Sequence, residues 1–326
     1  MLCCRITAQE KGLYRLCHDG VEQAAQVSGK FQYEALGPSD YPTVGDEVLA
    51  DLNGGGQAVI HKVLPRKSLF LRKAAGTARE EQPVAANVDI LFLCMALNND
   101  FNLRRLERYL AAAWNSGATP VVVLTKADLC GNPSEKVAAV EEAAPGTDVL
   151  LTSAAQEDGI RPLLPYLTPG RTVAFVGSSG VGKSTLMNGL LGKEILATGG
   201  LRNDDRGRHT TTRRQMFFLP GGAALIDTPG MRELGLWDSE SGLETAFADI
   251  EALARQCRFQ DCRHEKEPGC AVRAALASGE LSEERFRSWQ RLSAENRYAD
   301  DRAAHMSAKE KKFRMIAQFN KSNSKR

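Results

Sequence analysis

Residues 176–185 read VGSSGVGKST. The pattern G-x-x-x-x-G-K-S falls on Gly177, Gly182, Lys183 and Ser184, between an apolar strand-like run (RTVAFV) and a helical run that stops at Gly192. No other stretch limits the possible folds so strongly. Glycines at this spacing let successive backbone N–H groups turn toward one anion, and the following helix adds the positive end of its dipole. Ser178, Ser179, Gly180, Val181 and Thr185 are then expected against phosphate oxygens. Lys183 would reach the β- and γ-phosphates and Ser184 would ligate Mg²⁺. A parallel α/β sheet is therefore expected around mid-chain.

Four further segments fit the same pocket. LIDTPG (225–230) puts Asp227 at a strand end, where its carboxylate would hold Mg²⁺, and Gly230 where a backbone N–H could meet the γ-phosphate. HTTT (209–212) lies between the loop and that strand, and either Thr211 or Thr212 would complete the Mg²⁺ shell. TKAD (Thr125, Lys126, Ala127, Asp128) follows the strand-like run PVVVL. A carboxylate can accept from both N1–H and the 2-amino group of guanine, so Asp128 selects guanine, while Lys126 covers the ring and braces the phosphate loop. TSA (152–154) ends the next strand, and the backbone around Ser153 and Ala154 would bond the guanine O6. The order is base, base, phosphate, switch, switch. Each motif needs only its own strand end, so a chain that starts at a different strand builds the same pocket. The segment is expected to be a circularly permuted GTP-binding domain over 74–236.

The flanks differ. Residues 1–73 alternate with period two and carry frequent turn residues, including the hairpin candidate NGGG at 53–56, so a small OB-like β-barrel with basic edges is expected. Such a barrel suits single-stranded nucleic acid. Residues 237–326 have helix–turn–helix texture and a basic end, KEKKFRMIAQFNKSNSKR. The chain has eight cysteines, and only Cys257, Cys262 and Cys270 cluster, together with His264. Three thiolates and an imidazole suit one tetrahedral, structural Zn²⁺. No apolar run approaches the roughly 20 residues that span a bilayer, and the first residues lack a basic-then-apolar signal pattern, so a cytoplasmic protein without membrane contact is expected. The formal charge of +2 points to no partner class.

Taken in order, GSSGVGKSTLMN, GRHTTT, DTPGMRELGLW and CRFQDCRHEKEPGCAVRAALASGEL resemble the circularly permuted, small-subunit-dependent GTPases of the RsgA (EngC-type) family, over nearly the whole chain. The resemblance implies an OB barrel, a permuted G domain and a zinc-bearing helical domain. It also implies GTP hydrolysis to GDP, stimulated by the small ribosomal subunit late in that particle's maturation, with contacts to ribosomal RNA by a monomer. Two positions stand out. Thr125 replaces the family's usual Asn, which predicts weaker guanine affinity. Met231 follows DTPG where Ras-like enzymes have a water-orienting Gln, and a thioether cannot orient water. The resemblance makes His209 the candidate for that task, with Arg206 and Arg208 as weaker candidates for stabilising phosphate charge. The rival readings are an RNA-binding GTPase switch unconnected with ribosomes and an ATP-using P-loop enzyme.

Overall fold

The computed structural model describes residues 1–10, 12–53, 56–73, 81–196, 214–228 and 240–297. Two compact units result, 1–235 and 236–326.

In the first unit, the period-two segments become strands β1 (Leu2–Glu10), β2 (Leu13–His18), β3 (Val21–Val27), β4 (Glu47–Asp51) and β5 (Ala58–Val63). β1 pairs with both β2 and β4, β2 with β3, β3 with β5 in parallel, and β5 with β4. The five strands thus close into a barrel. Their alternate side chains fill it, and Ile6, Leu16, Val48, Ala50 and Ile60 are fully buried. Helix α1 (Gly29–Glu34), capped by the Ser28 hydroxyl, spans the gap between β3 and β4. The segment after it is pinned from inside. Arg66 bonds the fully buried Asp46 carboxylate with both Nε (2.7 Å) and Nη2 (2.8 Å), and it also donates to the carbonyls of Ser39 and Tyr41.

Strands β6 (Leu69–Lys73) and β7 (Glu81–Ala86) form a separate antiparallel ladder. Five strands then run parallel in the order β10-β9-β8-β11-β13, where β8 is Ile90–Ala96, β9 Thr119–Thr125, β10 Asp148–Leu151, β11 Thr172–Val176 and β13 Ala224–Asp227. All seven residues of β8 are buried, which explains its unbroken apolar sequence. Helices α2 (Leu103–Ser116), α3 (Pro133–Ala143) and α4 (Lys183–Leu191) make the crossovers. A 3-10 helix over Arg161–Tyr166, with prolines at 162 and 165, lies between β10 and β11.

Strand β12 (Arg214–Phe218) forms an antiparallel hairpin with β13, and its other edge pairs with β1 at Ala8↔Gln215 and Gln9↔Arg214. Barrel and α/β sheet are therefore one continuous eleven-stranded sheet. Periodicity carries no trace of this pairing, because it joins residues about two hundred positions apart.

In the second unit α5 (Glu240–Ala246), α6 (Ala248–Ala254), α7 (Ala271–Ser278) and a helix over 283–297 pack through Phe247, Ile250, Val272, Leu281, Phe286 and Leu292. Arg285 forks onto Asp249 (2.7 Å to each carboxylate oxygen) and lies over the Phe247 ring.

Candidate functional site

Sheet order reverses between β8 and β11: the chain runs outward through β9 and β10 on one side, and through β13 and β12 on the other. The crevice at the carboxyl ends of strands at such a reversal is where open α/β sheets bind ligands. Residues 177–182, which follow β11, sit at that point.

Gly177 has a positive φ of 154°, and a Cβ there would come within 2.4 Å of the Cys94 carbonyl oxygen, so only glycine lets the loop leave β11 against β8. Gly182, at φ 105°, opens helix α4. Lys183 is 7% exposed, and its Nζ donates to the carbonyls of Gly177 (2.7 Å) and Ser178 (2.8 Å). An ammonium has three donors, so one remains for an oxygen held in the loop. Burial pushes the Lys183 pKa down, opposed by Cys94 and the Asp227 carboxylate. Burial likewise raises the Asp227 pKa, opposed by Lys183. The two ends of the site thus hold opposite charges away from water, where each makes the other tolerable. Cys94, enclosed beneath the loop, is pushed up to about 12 by burial and stays a thiol at neutral pH.

On the base side, Thr125 ends β9, and its hydroxyl donates to the carbonyl of Val181 inside the phosphate loop. Lys126 adopts the left-handed conformation (φ 57°), and its Nζ reaches the Gly180 carbonyl at 2.8 Å. Two consecutive residues of β9's end therefore hold the phosphate loop. The Asp128 carboxylate accepts from Ser153 Oγ at 2.5 Å, and the Ala127 N–H bonds the Thr152 carbonyl. Ala154 follows on the exposed side of the turn. Gly159 closes this turn against Ser153, where any Cβ would overlap the Ser153 carbonyl. Ser184 and Thr185 begin α4 beside Lys183.

Three contributors went unnoticed in the sequence. Tyr109 on α2 bonds Ser178, Thr228 Oγ1 bonds the Phe175 carbonyl, and Gly159 shapes the base-side turn. Only Thr228 had a visible signal, its place inside DTPG. His209, Thr211, Thr212, Gly230, Met231, Arg206, Arg208 and the basic end lie outside the described residues.

The Cys/His cluster belongs to the second unit. Cys257, Cys262, His264 and Cys270 bring one donor atom each to within 4.8 Å of one another. A tetrahedral Zn²⁺ with ordinary bond lengths requires S···S edges of about 3.8 Å and S···N edges of about 3.6 Å. The Cys257–Cys270 sulfurs are 3.8 Å apart, and His264 Nδ1 is 3.6 Å from Cys257 Sγ and 3.4 Å from Cys270 Sγ. The donor set fits. His264 reaches it through a left-handed backbone (φ 60°) and packs against Phe286 and Trp289. Cys270 also caps α7, accepting from the Arg273 N–H. The cluster therefore joins α7 to the helix over 283–297.

The sequence model of the RsgA GTPase family matches residues 63–237. A second model, that of ABC transporters, matches 162–325. It starts after Asp128 and Ser153, so it omits the half of the pocket that faces a base. Among the described residues no strand follows β13, and the phosphate loop lies within 162–237, the stretch that both models match. The chain is 50% identical over 295 residues to Small ribosomal subunit biogenesis GTPase RsgA 2 of Lactiplantibacillus plantarum, which covers 90% of this chain and 83% of that one. YjeQ from Thermotoga maritima superposes with a TM-score of 0.65 at 28% identity, covering 89% of this chain and 96% of YjeQ. YloQ, described as a circularly permuted GTPase, has the same fold, with a TM-score of 0.62 at 24% identity over 92% of this chain and 95% of YloQ. Permuted motif order, closed barrel, Cys/His cluster and sequence identity agree: the chain belongs to the RsgA GTPase family.

Proposed function

We propose that this protein is a cytoplasmic, monomeric GTPase that acts on the small ribosomal subunit late in its maturation, and that subunit contact raises its rate of turnover. The observation that carries the reading is the joining of Lys183 and Asp128 into one pocket through the bonds of Thr125 and Lys126 to the phosphate loop. The names of the relatives supply the biological setting.

In this reading Asp128 accepts from the guanine N1–H and 2-amino groups, with Ser153 orienting its carboxylate. The backbone N–H of Ala154 faces O6, since the Ser153 N–H is already bonded to the Gly159 carbonyl (3.0 Å). Lys126 lies along the ring, and the amides of residues 177–185 wrap the phosphates. Lys183 neutralises charge that builds between the β- and γ-phosphates as water attacks. Mg²⁺, held by Ser184, Asp227 and Thr211 or Thr212, would supply further charge neutralisation. Gly230 meets the γ-phosphate, and His209 orients the attacking water. Zn²⁺ on Cys257, Cys262, His264 and Cys270 would be structural, since all four positions are filled by protein.

The test is GTP hydrolysis by the full chain with and without small ribosomal subunits. The expected result is stimulation of about tenfold or more, in line with activation supplied in trans. Equal stimulation by naked RNA would instead favour a switch unconnected with ribosomes. Asp128→Asn should shift preference from guanine toward xanthine nucleotides, and no shift would favour an ATP-using enzyme.

A further inference from the structure

Glu267 lies three residues after His264 and three before Cys270, and it is not one of the four donors of the cluster. Its carboxylate collects backbone N–H groups. Arg263 donates to Oε1 (3.1 Å), and Glu265 and Lys266 donate to Oε2 (2.9 Å each). The first two stand on either side of His264, whose own N–H goes to the Cys262 sulfur. Each N–H from 263 to 266 therefore ends on Glu267 or on a ligand sulfur. Amides that converge in this way form a concavity for one anion, and here the chain supplies the anion itself. We propose that Glu267 is the positioning residue of the metal site: it fixes the backbone on both sides of His264 and so aims the imidazole at the three sulfurs. The inference rests on the reading of the cluster as a Zn²⁺ site.

The backbone at His264 needs such a clamp. Its φ of 60° is uncommon outside glycine, and a conformation of that kind persists only where its surroundings over-determine it. Phe286 and Trp289 hold the imidazole ring, not the peptide groups that carry it. Arg263, Glu265 and Lys266 are all exposed, so burial of their side chains does not orient those peptides. The base of the loop is closed elsewhere, by the Arg258 N–H on the Gly269 carbonyl (3.1 Å). At the tip that task falls to the carboxylate.

The chemistry of the acceptor suits the task. A hydrogen bond to an ionised carboxylate is roughly twice as strong as one to a neutral oxygen. The N–H groups of Glu267 itself and of Arg263, then those of Lys266 and Glu265, hold its pKa down at about 2. It is therefore ionised wherever thiolates can take a metal. A loop set in advance has less freedom to lose when an ion arrives, and binding is tighter by that difference.

The experiment measures Zn²⁺ affinity of the full chain by competition with a chromophoric chelator. It also reads the visible absorption of Co²⁺ in the cluster, which reports the ligands and their geometry. Glu267→Ala removes all three bonds. Glu267→Gln keeps one acceptor oxygen and so retains part of them. Asp249→Ala breaks the Arg285 fork elsewhere in the same unit, and it measures what general destabilisation alone does to affinity. Glu267→Ala should lose about 100-fold in Zn²⁺ affinity and Glu267→Gln about tenfold, the range for residues that orient metal ligands. At saturating Co²⁺ the bands of Glu267→Ala should weaken as water competes with His264. Asp249→Ala should melt lower and keep the wild-type spectrum. The proposal is overturned if Glu267→Ala binds Zn²⁺ within twofold of wild type, or if Glu267→Gln is as weak as Glu267→Ala, which assigns the effect to charge alone. It is also overturned if Glu267→Ala keeps the wild-type Co²⁺ spectrum and loses no more affinity per degree of melting temperature than Asp249→Ala does. If Glu267→Ala does not fold, Glu267→Gln decides by the same comparison with wild type and Asp249→Ala. The two readings fail separately. Wild type that binds neither ion removes the zinc reading and this inference with it, whereas equal binding by wild type and both Glu267 variants removes only the inference.

Discussion

The nucleotide pocket and the Cys/His cluster are built on opposite principles. The pocket is mostly backbone: loop amides, the carbonyls of Gly177, Ser178, Gly180 and Val181, and a few side chains that hold those carbonyls in place. Its geometry comes from a buried sheet that exists with or without a ligand. The cluster is four side-chain donors in a small helical unit, and it ties α7 to the helix over 283–297. There a bound metal would complete the fold. A site made of backbone should lose function before structure, and a site made of side chains around a metal should lose both together.

That contrast can be broken in several ways. The largest effect is expected from metal removal. Structural zinc contributes roughly 10–16 kcal/mol of apparent folding energy to small domains, so chelation should abolish the helical signal of the second unit and leave the first unit's melting transition in place. Circular dichroism with calorimetry reads both, and an unchanged second unit would show that its core suffices alone.

Next comes Lys183→Ala. Losing one preorganised cation at developing charge costs about 10²–10³ in rate. Hydrolysis within a factor of a few of wild type would remove Lys183 from the chemistry.

Asp227→Asn separates function from stability by pH. Burial raises the Asp227 pKa in the folded protein. The folded state therefore holds the proton more tightly than the unfolded chain does, and stability falls as pH rises above the unfolded value. At neutral pH, without nucleotide, the variant should melt higher, by about 2–4 °C for each kcal/mol regained. The gain should shrink as pH drops toward 4, and Mg²⁺-dependent turnover should be lost. A variant less stable than wild type at pH 7 contradicts the argument.

The smallest effect is expected at Thr125. Removing its hydroxyl with Ala leaves the Val181 carbonyl without that donor, worth about 1 kcal/mol, or roughly fivefold in GDP affinity by titration. Thr125→Asn should bind at least as well as wild type. The sequence predicts weaker guanine affinity with threonine at this position, but the structure shows the hydroxyl holding the loop directly. What threonine still lacks is the amide that would bond guanine N7.

Legibility in the sequence followed the range of the interactions. Spacing rules are local, so the phosphate loop, TKAD, DTPG and the Cys/His set could be read, and their order gave the permutation. The parallel strands could be read because both-face burial leaves apolar runs such as ILFLCMA. Contacts between distant segments could not. Nothing in GSSGVGKS shows that Val181 receives a hydroxyl from Thr125, or that Gly159 must stay bare to clear Ser153. The pairing of Ala8 and Gln9 with Gln215 and Arg214 is likewise silent in both segments, since either edge alone looks like an ordinary strand end.

That last pairing also bears on solubility. An open parallel sheet ends in two rows of unpaired N–H and C=O groups, each a template for association with another chain. Here β12 passes its free edge to β1, and β1 belongs to a ring that closes on itself through β4. Among the described residues the eleven-stranded sheet is left with one open end, β10, only four residues long and opened by Asp148. Fusing a barrel to the sheet thus removes one of the two places where such a protein would stick to its own copies.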